Sequence, residues 1–142
     1  MRVGSLITSV AGTAAWTAGV LSGAPALAHQ PMPPSKVQEL MKQVLPEAPG
    51  RETRVLTIDI PPAGGTPPHR HPGHHIFGYV LEGSYRFKVG DKPEVTLKPG
   101  DTFYEAPGEL HAVSSNASTT APAKLLVVIV AETGKPITVM EK

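Results

Sequence analysis

His69-Arg70-His71-Pro72-Gly73-His74-His75-Ile76-Phe77-Gly78-Tyr79-Val80-Leu81-Glu82-Gly83 says more about the fold than any other segment of the chain. Four of the chain's six histidines fall in its first seven residues. His69 and His71 stand at i and i+2, which places both side chains on one face of an extended strand. A helix would need i and i+4 for the same effect. Pro67 and Pro68 lead in, and Pro72-Gly73 forces a turn. Tyr79-Val80-Leu81 then continues as a strand, and Glu82-Gly83-Ser84 reads as a hairpin turn. A histidine run without such neighbours would read as a solvated loop. Within this strand–turn–strand frame, two imidazoles on one face and a third from a distant strand can hold a divalent metal. His111, forty positions after His71, supplies the third.

The same alternation extends outward. From Arg51, Leu56, Ile58 and Ile60 alternate with Val55, Thr57 and Asp59, a strand ended by Pro61-Pro62. Further strands are predicted near 69–71, 76–81, 84–89, 94–98, 102–105, 110–115, 124–131 and 136–140. The breaks between them carry turn residues: Gly90-Asp91-Lys92-Pro93, Pro99-Gly100-Asp101, Pro107-Gly108 and Gly134-Lys135-Pro136. Many short strands with Pro/Gly turns make an all-β sandwich or barrel. The continuous apolar run Leu125 to Val130 predicts burial on both faces, in the core or at a subunit interface. Ser114 to Thr120 is polar and reads as a loop. One helix is predicted before the strands. Ser35 with Gln38 fits a capping box, Val37, Leu40, Met41 and Val44 form one apolar stripe, and Pro46 stops the run.

The first 28 residues read as a secretory signal. Arg2 gives a positive start, residues 3–23 are mostly small or apolar, and Ala26-Leu27-Ala28 is an Ala-x-Ala cleavage signal. Gly, Ser and Thr dilute the segment too much for a good transmembrane helix. The expectation is export to the periplasm or the outside of a bacterium. The organisation predicted is a signal peptide over 1–28, a Pro-rich leader and amphipathic helix over 29–50, and a barrel over 51–142. Arg2 would leave with the signal, so the remaining Lys and Arg balance the 12 Asp and Glu. No basic run exists, which argues against nucleic acid and, after cleavage, against a membrane partner. The chain has no cysteine, which excludes a zinc–thiolate site, a cysteine nucleophile and an iron–sulfur cluster.

The two segments 69–83 and 100–116 together resemble the paired motifs of the cupins. Gly64, His69, His71 and Gly83 match the first motif. Gly100, Gly108 and His111 match the second, with Pro107 and Asn116 each one residue late. The resemblance spans about 55–139. It implies a single cupin β-barrel, also called a double-stranded β-helix or jelly roll, here with one short N-terminal helix. It also implies one divalent transition metal (Fe, Ni, Cu, Mn or Zn) and a homodimer. The family's metal-binding Glu, counted back from Gly83, falls on Ile76, which cannot ligate a metal. Two residues could take its place. His75 is adjacent, and Glu105 lies six positions before His111. A three-histidine site with open positions would also suit a catalytic metal.

The candidate metal ligands are therefore His69, His71, His75 and His111. Glu105 is the candidate for proton transfer if it does not ligate. Alternation turns Tyr104 away from Glu105 and Arg70 away from the metal. Asp101 is expected to cap its turn. Tyr79, Phe77, Tyr85, Phe87 and Phe103 are core or cavity candidates. Such a centre fits a metal-dependent enzyme of dioxygenase type, similar to the quercetinases, acting on a small molecule. It also fits a metal-dependent isomerase, lyase or decarboxylase. A non-catalytic module that binds a small molecule or metal is a further reading, because the Glu is missing at 76. A purely structural barrel is the last. One fold serves many chemistries.

Overall fold

A computed structural model describes residues 31–142 of the chain. The segment read as a signal, 1–28, lies outside the described residues. The strands are β1 Lys36–Val44, β2 Arg51–Ile60, β3 Gly65–Thr66, β4 His69–Arg70, β5 His75–Glu82, β6 Tyr85–Val89, β7 Val95–Leu97, β8 Thr102–Glu105, β9 His111–Asn116, β10 Ala123–Glu132 and β11 Val139–Met140. They form two antiparallel sheets. One runs β1-β2-β10-β5-β8, and the other β11-β4-β9-β6-β7 with β3 added to β9. No helix occurs among the described residues. The all-β sandwich expected from the alternation, in the jelly-roll form that the resemblance implies, is the fold observed.

Residues of both inner faces make the core. On β10 the odd positions Ala123, Leu125, Val127, Ile129 and Ala131 are buried. Val80 and Ile76 of β5 join them beside Ile60 of β2. Each large aliphatic side chain fully buried in this way contributes about 1.5–3 kcal/mol of transfer free energy. The even positions of β10 are half-buried on the opposite face of the single chain, so only its odd positions belong to the core.

Phe103 of β8 packs against Phe87 and Tyr85 of β6, with ring centroids 4.8 and 5.4 Å apart. This tilted packing joins the two sheets. It depends on Gly78, which is paired directly with Phe103. A Cβ on Gly78 would lie 1.9 Å from the Phe103 ring. Asn116 pins the far end of β9: its amide donates to the carbonyls of Ile60, Pro61 and Ala121, and its Oδ1 accepts from Ser118 N–H. The polar segment from Ser114 thus begins inside β9 rather than in a loop.

The helix predicted from Ser35 to Pro46 is a strand. β1 adds to the open edge of β2, pairing Lys36 with Asp59 through Val44 with Glu52, with a bulge between Glu39 and Met41. The bulge consumes Leu40 and shifts the alternation by one. That shift is what produces helical spacing in an extended segment. Unpaired N–H and C=O groups along β2 are satisfied by β1, and this gain overrides local helix propensity. The apolar stripe is not buried on the barrel. Val37, Leu40, Met41 and Val44 all remain exposed.

Candidate metal centre

β4 and β9 bring the first two ligands together. His69 and His111 are direct cross-strand partners. His71 follows one position past the end of β4, two residues from His69 and on the same face. Glu105, the last residue of β8, reaches in from the other sheet. One potential ligand atom from each of these four side chains lies within 4.8 Å of all the others. All four are buried. The Glu105 carboxylate stands 3.1 Å from His111 Nδ1 and 3.5 Å from His71 Nε2.

Hydrogen bonds behind the rings orient them. His69 Nδ1–H donates to the Pro67 carbonyl at 2.7 Å, and His71 Nδ1–H donates to the Ile137 carbonyl at 2.7 Å. Each bond leaves Nε2 with its lone pair free. Backing of this kind sets the tautomer of a metal-ligating histidine. His111 is backed differently. Its Nε2 lies 3.3 Å from the Tyr85 hydroxyl, which is 2.8 Å from Ser114 Oγ. With Tyr85 donating to Ser114, His111 Nε2–H donates to Tyr85 and Nδ1 keeps its lone pair for the cluster.

The electrostatics favour neutral rings. Burial pushes His69 and His71 below the ordinary imidazole range, against the opposing pull of the Pro67 and Ile137 carbonyls. Burial also drives the Tyr85 phenol well above its usual range, so it stays a neutral hydroxyl. Two buried polar atoms of the cluster, Glu105 Oε2 and His111 Nδ1, make no hydrogen bond. Buried polar groups without partners are uncommon. Their convergence with two free Nε2 atoms is what a cation would satisfy, and three imidazoles with one carboxylate form a donor set suited to Fe, Ni, Cu, Mn or Zn. The residues present fit a metal ion.

The cluster lines a cavity of about 410 Å³ whose other walls are chiefly aliphatic, among them Leu56, Ile58, Leu125 and Val127. That volume is within the range of small-molecule sites.

The structure brings together His69, His71, His111 and Glu105. It does not bring His75. That side chain points to the outer face, where Nδ1 is 2.8 Å from the Tyr104 hydroxyl. The cause is parity: Ile76 is buried on the inner face and its neighbour must face outward. Tyr104, 40% exposed, is turned away from Glu105 as alternation required. Arg70 also faces outward, bonded to Glu141 and to the Gly108 carbonyl. Asp101 caps its turn by accepting Lys98 N–H at 2.7 Å. Of the aromatic candidates, Tyr85, Phe87 and Phe103 are buried, whereas Phe77 and Tyr79 are exposed.

Sequence reasoning missed two parts. His74 is fully buried, accepting Glu132 N–H on Nδ1 and donating from Nε2 to the Pro136 carbonyl. It ties the turn after β4 to the segment after β10 and takes no part in the cluster. Ser114 and Tyr85 back His111, and the only sequence signal for them is the inward parity of β6 and β9.

A family model described as the cupin domain matches residues 56–129, just over half of the chain. No functionally curated protein sequence matches the chain. Among solved structures, the chain is similar to a recombinant oxalate oxidase in complex with glycolate: 24% identity, TM-score 0.58, covering 75% of this chain and 54% of that one. The chain thus spans about half the length of the oxalate oxidase. It is also similar to an uncharacterized conserved protein with a double-stranded beta-helix domain from Klebsiella pneumoniae subsp. pneumoniae MGH 78578. There the identity is 19%, the TM-score 0.59, and the coverage 84% of this chain and 90% of that one. A third, TT1209 from Thermus thermophilus, is 28% identical with a TM-score of 0.52, covering 68% of this chain and 84% of that one.

Proposed function

The chain belongs to the cupin family, and on that footing we propose that it is an exported, metal-dependent enzyme of dioxygenase type acting on a small molecule. The observation that carries this reading is the His69, His71, Glu105, His111 cluster, buried at the wall of an apolar cavity with two of its polar atoms unpartnered. These four residues would hold one divalent Fe, Ni, Cu, Mn or Zn ion, which when bound supplies Lewis-acid or redox chemistry to a chelating substrate.

The chain's own residues do the rest. The Pro67 and Ile137 carbonyls and the Tyr85 hydroxyl hold the three imidazoles in their ligating orientation. The aliphatic walls exclude water and strengthen each electrostatic contact inside. Glu105 needs only one oxygen to ligate, which leaves its second oxygen to accept a substrate proton.

The experiment is metal analysis by mass spectrometry of untagged protein beside a His69→Ala/His71→Ala variant, followed by oxygen consumption with catechol, flavonol and diketone panels. About one equivalent of Fe, Ni, Cu or Mn, lost in the variant, with oxygen uptake supports the reading. A metal-loaded protein that leaves every panel member and oxygen untouched refutes the dioxygenase.

Export rests on Arg2, the apolar run to residue 23 and Ala26-Leu27-Ala28. N-terminal sequencing of the protein from a bacterial periplasmic fraction should read from His29. A homodimer is supported by the outer face of the first sheet. There Met41, Val55, Val128, Phe77 and Tyr104 align as one uncharged cross-strand row spanning all five strands. A solvated antiparallel face ordinarily carries polar residues.

A further inference from the structure

The cavity has a second polar end. Besides the cluster, its wall includes Arg54 and Glu39, and Arg54 is the only Lys or Arg among the described lining residues. Arg54 and Glu105 belong to the same inner-face row. Arg54 pairs with Ile129, Ile129 with Ile76, and Ile76 with Glu105. Three strand spacings separate them, about 14 Å from Cα to Cα. Between the two polar ends lie only isoleucines of that row.

The guanidinium is held rigidly from behind. Arg54 Nε and Nη2 both lie 2.7 Å from Glu52 Oε1, and Glu52 is completely buried. Lys42 Nζ stands 3.3 Å from the other Glu52 oxygen. Burial raises the Glu52 carboxyl, but its bonds to Arg54 and Lys42 outweigh that and hold it below the usual carboxylate range. One buried anion thus faces two cations. The remaining donor, Nη1, reaches only Glu39 Oε2 at 3.4 Å, a half-exposed carboxylate. Exposed pairs of this kind contribute little and are readily exchanged. A pre-oriented guanidinium with free N–H groups in a cavity wall matches a planar carboxylate.

We propose that Arg54 is a carboxylate-binding subsite at the end of the cavity away from the metal cluster. The ligand class is then an elongated organic acid, with a metal-binding group at one end and a carboxylate at the other. This rests on the metal-centre reading above. In the bound state the ligand carboxylate replaces Glu39 on Nη1, and its apolar middle lies along Ile129 and Ile76.

The test is calorimetric titration of the metal-loaded protein with straight-chain α,ω-dicarboxylates from succinate to sebacate, each against the monocarboxylate of the same length. Metal content is measured on the same samples. The expected result is an affinity maximum at an intermediate diacid, tighter than its monoacid by about tenfold or more. Arg54→Gln should abolish that advantage, Arg54→Lys should restore only part of it, and Glu39→Gln should increase it. Because Arg54→Gln leaves Glu52 with Lys42 alone, the Glu52→Gln/Arg54→Gln variant, which removes both charges of the pair, decides the point if the single variant misfolds. Equal binding of diacids and monoacids to metal-loaded wild type overturns the proposal and leaves the metal centre standing. So does a diacid advantage that survives loss of Arg54. Protein that takes up no metal overturns the metal-centre reading itself, and the subsite proposal with it.

Discussion

Ile76 of β5 and Glu105 of β8 are direct cross-strand partners on the inner face of the sheet. The position where the family's ligating Glu would stand holds an isoleucine, and a carboxylate comes from the residue opposite. Directly opposed side chains have Cβ atoms about 4.5–5.5 Å apart. A carboxylate can therefore move across the pair without leaving the site. Glu105→Ala should lower metal affinity by more than the roughly 10–100-fold seen when residues supporting metal ligands are changed. Ile76→Glu/Glu105→Ile should recover much of it. Competition against a chromophoric chelator measures both, and unchanged affinity in Glu105→Ala would remove Glu105 from the ligand set.

Tyr85→Phe deletes one hydroxyl and keeps the ring stacked near Phe87 and Phe103. His111 Nε2 then loses its partner. Metal affinity should fall by roughly 10–100-fold, while the unpartnered Ser114 costs about 1–3 kcal/mol of stability. Chelator competition and urea unfolding separate the two effects. A full loss of folding would show that the hydroxyl serves the core more than the site.

Burial lowers the folded-state pKa of His69 and His71 from 6.5. Between the depressed and the ordinary value, the unfolded chain binds protons that the folded chain refuses. Stability of the metal-free protein is therefore fully present above about pH 6.5 and is lost as pH falls below it. Urea titrations from about pH 8 to about pH 5 should show this slope, and His69→Gln/His71→Gln should flatten it. An equal slope in the variant would assign the effect to other groups.

Gly78→Ala places a methyl where the Phe103 ring lies. Overpacking of this kind costs about 1–3 kcal/mol or more. Gly78→Ala/Phe103→Leu should regain part of the loss in thermal unfolding. A Gly78→Ala protein as stable as wild type would mean that the ring has room to move.

Val128 is at the centre of the outer apolar row, and Phe77 is its partner. Val128→Lys should convert a dimer to a monomer in size-exclusion chromatography with light scattering, without altering metal content. A wild-type protein that elutes as a monomer would rule out this face as a self-contact.

Much of this architecture was readable from the chain. His69-x-His71, the Pro/Gly turns and period-two alternation specify strands and their inward faces locally, because side-chain parity on a strand follows from backbone geometry alone. The same parity placed Tyr104 and Arg70 outward. It does not carry through the turn Pro72-Gly73, so the sequence leaves His75 a ligand candidate, and only the fold shows that β5 buries Ile76 and turns its neighbour out. The spacing of Val37, Leu40, Met41 and Val44 matched a helix because a bulge imitates that period.

An all-β barrel, three histidines able to meet, and the absence of thiolate chemistry follow from the order of residues alone. That Glu105 joins the histidines, that Tyr85 and Ser114 back His111, and that Arg54 shares their cavity emerge only once the chain is folded. Local periodicity sets which way a side chain faces, whereas the pairing of β5 with β8, of β4 with β9 and of β2 with β10 sets what it meets. Those pairings come from packing and register between segments far apart in the chain.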